Sequence, residues 1–73
     1  MVRRASAYVA KIFSVAGNRG HHSCYRTVCK LRDFGLSPGQ AWPVLLAWNE
    51  TNAIPPWTER ELRHKLASVF GTT

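Results

Sequence analysis

Acidic residues are scarce in this sequence of 73 residues. Asp and Glu together number four, against ten Lys or Arg, which gives a net charge of +6. Two of the four, Glu59 and Glu61, are explained as favourable charges at a helix start. A nucleophile, a base and an orienting third group cannot be assembled from what remains. We therefore expect this domain not to be an enzyme, whereas its positive charge suits nucleic acid, nucleotides or an acidic protein surface.

Cysteine is also rare, with only Cys24 and Cys29 in the chain. These residues are five positions apart in a predicted helix, so they point to different faces and a mutual disulfide is not expected. No C-x₂₋₄-C pair occurs, and we expect neither a metal site nor another cofactor. Long apolar runs and a signal peptide are missing too. The sequence therefore predicts a soluble, cytoplasmic protein with reduced thiols and no membrane partner.

Sustained apolar–polar alternation bounded by hairpin turns is absent, so no sheet is predicted. Apolar residues recur instead at helical spacing in four segments. The expected fold is a single-domain, all-α bundle over residues 1–73. Its four helices should span about residues 3–15, 22–34, 38–50 and 59–70. A domain of this size needs its large side chains for the core, so the three tryptophans, Trp42, Trp48 and Trp57, are expected to be packing residues.

The first two helices are predicted from apolar periodicity. Helix one has a stripe at i, i+3, i+4, i+7, i+8 and i+11, formed by Ala5, Tyr8, Val9, Ile12, Phe13 and Ala16. Helix two should begin between His21 and Ser23, with Ser23, His22 or the preceding loop as its cap. Gly35 has the position of a glycine that ends a helix in the left-handed conformation.

Helices three and four each begin with a capping box, in which a hydroxyl residue is followed three positions later by Gln or Glu. The pairs are Ser37 with Gln40 and Thr58 with Glu61. Pro43 falls inside helix three, where its missing N–H and its ring disturb the preceding turn. This residue predicts either a kink or a first turn separate from the main helix.

The segment AGNRGHHSCYR, residues 16–26, has clustered positive charge before a helix start. Unpaired backbone N–H groups at such a start attract anions, phosphate above all. The candidate phosphate ligands are Arg19, His21, His22 and Arg26, while Gly17 and Gly20 would let the backbone approach closely. The segment does not match a phosphate-hydrolysing P-loop. Judged on the loop alone, a solvated surface turn is the simpler interpretation.

A helix-turn-helix arrangement is an alternative, because helix two, FGLS and helix three resemble two helices joined by a short glycine turn. A recognition helix needs polar side chains to reach base edges. Helix three offers apolar and aromatic residues instead, namely Trp42, Val44, Leu45, Leu46 and Trp48. Sequence-specific reading of duplex DNA through this helix is therefore not expected.

Four segments, in order, resemble the C-terminal helical domain of primases of the primase–polymerase and phage or plasmid type. They are G-x-R-G-H at 17–21 followed by Tyr25-Arg26, L-R-D-F-G-L-S at 31–37, W-N at 48–49, and P-P-W-T-E-R-E-L-R-H-K-L at 55–66. The resemblance extends from about Arg3 to Phe70. It implies an all-α bundle within a larger replication-initiation protein, beside a primase–polymerase domain and a helicase. It also favours His21 and Arg26 over Arg19 as the residues to mutate.

Three functional hypotheses follow. The first is a non-catalytic module of a primase- or helicase-type protein that binds single-stranded DNA, RNA or nucleotide phosphates during primer initiation. Its phosphate ligands would be Arg19, His21, His22 and Arg26, with Lys30, Arg63 and His64 as flanking contacts. The second is an interaction module that links primase and helicase domains through an apolar patch. The third is a small duplex-binding helix-turn-helix regulator.

Overall fold

A computed structural model describes residues 2–15 and 20–71, with side chains in the second range from residue 22 onward. Within these ranges the elements are α1 (Val2–Val9), β1 (Ser14–Val15), α2 (Gly20–Asp33), α3 (Pro38–Asn52), β2 (Ala53–Ile54) and α4 (Glu59–Phe70). The prediction of a mainly helical fold with four helices is confirmed. The prediction that no sheet forms is wrong, because β1 pairs with β2.

The two strands form a parallel pair in which Ser14 lies opposite Ala53 and Val15 lies opposite Ile54. Ser14 and Ala53 are buried, whereas Val15 and Ile54 are exposed. The Trp57 indole also donates a hydrogen bond to the Ser14 hydroxyl, at 3.1 Å. Strands this short cannot produce an alternating pattern long enough to detect, and their pairing joins residues far apart in sequence.

Helix α1 ends at Val9, well before the predicted end near residue 15. Beyond Val9 the backbone bonds tighten to three-residue spacing, with the Ile12 N–H donating to the Val9 carbonyl at 2.9 Å. The carbonyls of Ala10 and Ile12 accept side-chain hydrogen bonds from α3, which replace the bonds a longer helix would make. Tertiary contacts therefore override the helical periodicity of this segment.

Helix α2 begins at Gly20, so His22 and Ser23 lie inside the helix and neither is its cap. Gly35 has φ = 83°, the left-handed conformation predicted for it. The Gly35 N–H donates to the Arg32 carbonyl and the Leu36 N–H to the Leu31 carbonyl, which is the Schellman pattern of helix termination. Both leucines are buried, so the turn is anchored in the core.

The predicted starts of α3 and α4 are confirmed by complete capping boxes at Ser37 and Thr58. Helix α3 is continuous through Pro43 to Asn52, so the predicted alternative of a separate first turn is wrong. Pro43 and Gly39 are both exposed. Water can therefore satisfy the Gly39 carbonyl that loses its helical partner, which makes this proline tolerable.

The core lies where α2 packs against α1, α3 and α4. Its fully buried side chains include Leu31, Leu45 and Leu62 from three different helices. Trp48 is also buried, and Trp42 and Trp57 are partly buried against the same cluster, as expected of packing residues. Helix α3 thus contributes most of its large side chains to the core.

Candidate nucleic-acid interface

A surface groove lies between the segment that follows α1 and the first half of α2. Its lining residues are Tyr8, Lys11, Ile12, Phe13, Ser23 and Arg26. The groove exists because the chain leaves the helical path after Val9 and turns across the side of α2. Two aromatic rings, two cationic side chains and a hydroxyl are thereby brought to one site.

The aromatic residues of the groove are accessible. Phe13 is 59% exposed and Tyr8 is 38% exposed. The Tyr8 ring meets the Phe34 ring edge-on, with centroids 5.7 Å apart, and the Lys30 ammonium lies 5.5 Å from the Tyr8 centroid. The Tyr8 ring is therefore partly covered by Phe34 and Lys30, whereas the Phe13 ring is more exposed and offers an apolar surface on which a base could stack.

The cationic residues of the groove are not neutralised by any recorded ion pair in the described part of the chain. The ion pairs found there are Arg32 with Asp33 and Arg63 with Glu59. Lys11 and Arg26 are in neither pair, and no carboxylate lines the groove. Both remain available for an anionic ligand such as a phosphate.

The start of α2 adds a further positive contribution. This helix has 14 residues, and its first turn contains no acidic residue. Its N-terminal partial charge is therefore not compensated from within the turn. Ser23, the fourth residue of α2, lines the groove, so the N-terminal end of this helix lies next to the site.

The predicted site residues of the loop and of α2 differ in where the structure places them. Gly17 and Arg19 lie outside the described residues, whereas Gly20 and His21 are placed in the first turn of α2 by their backbone only. Arg26 lines the groove, and Lys30 lies beside it over Tyr8. His22 is exposed at the start of α2.

The two predicted flanking contacts on α4 lie elsewhere. Arg63 donates a hydrogen bond to Glu59 at 3.3 Å, and its guanidinium carbon lies 4.9 Å from the Trp42 ring centroid. His64 lines a second depression with Arg60, Glu61 and Lys65, and this depression shares no residue with the groove. The structure thus brings Arg26 and Lys30 together but does not bring Arg63 and His64 into the groove.

Among the six residues that line the groove, only Arg26 is a site residue predicted from the sequence. Helical periodicity assigns Tyr8, Ile12 and Phe13 to the buried stripe of helix one instead. Because α1 ends at Val9, Lys11 and Phe13 leave the helical path and meet Tyr8 at one groove. The signal that could have identified them is the interleaving of a basic residue with aromatic residues over positions 8–13, a composition typical of single-strand binding surfaces.

Cys24 and the described histidines were considered as an alternative, metal-binding site. Burial raises the pKa of the Cys24 thiol from 9.0 to about 11, an effect that nearby Lys65 opposes and Glu61 reinforces. Cys24 is therefore a protonated core residue at neutral pH. Over the described residues, no three His, Cys, Asp or Glu side chains are grouped so that they could hold a metal ion.

None of the helices in the described ranges is long and apolar enough to cross a membrane. Comparisons of the chain with protein-family models, curated proteins and solved structures found no match.

Proposed function

We propose that this chain is a non-catalytic module that binds single-stranded nucleic acid in the groove between α1 and α2. The observation that carries the proposal is the meeting of exposed aromatic rings with unneutralised cations beside a helix N-terminus. Phosphates are recognised by cations and by backbone N–H groups, and unstacked bases by aromatic faces. A single strand presents both groups together, whereas a duplex keeps its bases stacked.

In this proposal the polar and aromatic residues of the groove have defined roles. Arg26 and Lys11 bind phosphate oxygens, and the Ser23 hydroxyl adds a neutral donor. A base stacks on Phe13, with Tyr8 extending the apolar wall. His21 and His22, in the first turn of α2, and Arg19, which precedes this helix in the sequence, supply further phosphate contacts.

The resemblance to primase C-terminal helical domains supplies the biological setting. We propose that the module belongs to a cytoplasmic replication protein and holds single-stranded template, or the phosphates of a nucleotide, during primer initiation. Catalysis would then reside in another domain of that protein, because this chain has only four carboxylates.

Fluorescence anisotropy with a labelled oligothymidylate of about 15 nucleotides tests the proposal, since small single-strand binding folds cover up to roughly that length. Binding should be detectable at low salt and weaker for a duplex of equal length. Three or four phosphate contacts predict a slope of log affinity against log salt of about −2 to −3.

The matched variants are Arg26→Glu in the groove and Arg60→Glu on α4. Each replaces one exposed arginine and lowers the net charge by the same amount. Arg26→Glu should weaken binding about tenfold or more and reduce the salt slope by about 0.7 to 1.4, whereas Arg60→Glu should change little. Absence of binding at low salt, or equal effects of the two variants, would contradict the proposal.

A second candidate function is supported by an apolar patch formed by Phe13, Val15 and Ile54. These side chains are 59%, 39% and 62% exposed. Exposed apolar surface of this kind favours contact with a protein partner, here a neighbouring primase or helicase domain. This function would be supported if the protein co-purifies with such a domain and the co-purification is lost in Ile54→Ser but kept in Arg26→Glu. The first function would be supported if oligonucleotide binding is lost in Arg26→Glu but kept in Ile54→Ser.

A further inference from the structure

Two side chains at the end of α3 hold the groove segment that follows α1. The Trp48 indole N–H donates to the Ile12 carbonyl at 2.9 Å. The Asn52 side-chain amide donates to the same carbonyl and to the Ala10 carbonyl, both at 2.8 Å. Trp48 is 3% exposed and Asn52 is 6% exposed, so both donors act from a buried position.

These bonds fix the backbone immediately before Phe13. The carbonyl of Ile12 belongs to the peptide plane that also contains the Phe13 N–H. Two donors on this carbonyl restrict the rotation of that plane, and the bond to Ala10 restricts the start of the same segment. The direction in which Phe13 leaves the backbone is thereby set from α3.

We infer that Asn52 and Trp48 are positioning residues for the ligand groove, which act through the backbone of residues 10–12 to hold Phe13 in place. This inference rests on the proposed function for the role of Phe13 in binding a base. Neither Asn52 nor Trp48 lines the groove. Their effect on binding is therefore indirect and depends on Phe13.

A neighbouring asparagine of α3 holds a different part of the backbone. Asn49, also buried and almost one turn earlier on α3, directs its amide to the backbone of Trp57 instead, with contacts of 2.7 and 2.8 Å. Asn49 secures the connection to α4, whereas Asn52 secures the edge of the groove. The two asparagines thus have similar chemistry and different targets.

A double-mutant cycle between Asn52→Ala and Phe13→Ala tests the inference by oligothymidylate anisotropy. Loss of one stacked base raises Kd by about 5- to 150-fold, which sets the range expected for Phe13→Ala. Asn52→Ala should also raise Kd, by a factor that approaches the one for Phe13→Ala. In the Phe13→Ala background its effect should fall to about twofold or less, because the side chain it positions is absent.

Trp48→Phe provides a second variant, since it removes the indole donor and keeps an aromatic ring in the core. It should show the same dependence on Phe13. Val69→Ala, a buried truncation on α4 away from the groove, is the control for lost stability and should change Kd by less than about twofold. Each variant is measured at a temperature at which circular dichroism shows it folded.

The outcomes separate this inference from the proposed function. Coupling of Asn52 and Trp48 to Phe13 supports the inference, and effects that multiply independently overturn it. If the unmodified protein does not bind the oligonucleotide, the proposed function fails. Amide NMR then tests the positioning role. If Asn52 holds this segment, Asn52→Ala shifts the amide signals of residues 11–14 and leaves those of α4 unchanged. If Asn52 does not hold it, both sets of signals stay unchanged.

Discussion

Truncation of Asn52 to Ala gives a stability change whose size can be worked from the structure. The substitution removes the two hydrogen bonds to the Ala10 and Ile12 carbonyls. It also removes the bond that the Asn52 side-chain oxygen accepts from the Thr51 hydroxyl, but this hydroxyl keeps the Ala47 carbonyl as an acceptor, so its loss adds little. Each intramolecular hydrogen bond contributes about 1 kcal/mol net. Ile12 keeps its bond from Trp48, and Ala10 is exposed, so water can solvate the freed carbonyls. We therefore expect a loss of about 2 kcal/mol.

A loss of this size is large for so small a domain. Stabilities of about 0.05 to 0.15 kcal/mol per residue give roughly 4 to 11 kcal/mol in total. For domains of this length each kcal/mol shifts Tm by about 4 to 8 °C, so Tm should fall by about 8 to 16 °C. The variant should nevertheless remain folded at room temperature, which the binding experiments require.

Urea and thermal unfolding, followed by far-ultraviolet circular dichroism, measure this loss. Glu50→Ala is the control, because Glu50 is an exposed residue of the same helix and should change stability by less than about 0.5 kcal/mol. If Asn52→Ala is as stable as Glu50→Ala, then the side-chain bonds do not hold residues 10–12, and the explanation for the early end of α1 is wrong.

Three further predictions concern local features. Thr58→Ala should lower the free energy of unfolding by about 1 kcal/mol, measured with urea, because the cap of α4 is lost. Thr58→Ser keeps the capping hydroxyl and should retain most of that stability. Gly35→Ala should cost about 1 kcal/mol in the same assay; its φ is 83° and an added Cβ meets no atom within 4 Å, so the cost is one of backbone conformation alone. The free energy of unfolding should fall as pH rises from 9.0 to about 11, because the Cys24 thiol ionises more readily in the unfolded chain than in the folded protein. Cys24→Ala should show a smaller decline over the same pH range.

The helix ends that are decided by residues a few positions apart are predicted correctly from the sequence. The capping boxes at Ser37 and Thr58 close within four residues, and their bonds form as the sequence indicates. Gly35 takes the left-handed conformation that ends α2. Each of these features is decided within one helical turn, so no information about the rest of the fold is needed.

The candidate site was predicted only in part, for a physical reason. Arg26 and Lys30 were identified because they follow a basic loop on the same helix. Phe13 was assigned to a buried stripe, since periodicity alone continues helix one past Val9. The competing bonds come from Trp48 and Asn52, about 40 residues away in sequence, and the local pattern contains no trace of them.

The sequence by itself determined the four-helix character of this protein, the caps of α3 and α4, and the basic charge that favours an anionic ligand. Only the tertiary structure decided where α1 ends, that β1 pairs with β2, and which aromatic rings face solvent. The difference follows from the range of the interactions. Helix caps and apolar stripes depend on residues a few positions apart, whereas the groove depends on buried donors of α3 that bind the backbone of residues 10–12 only once the bundle has formed.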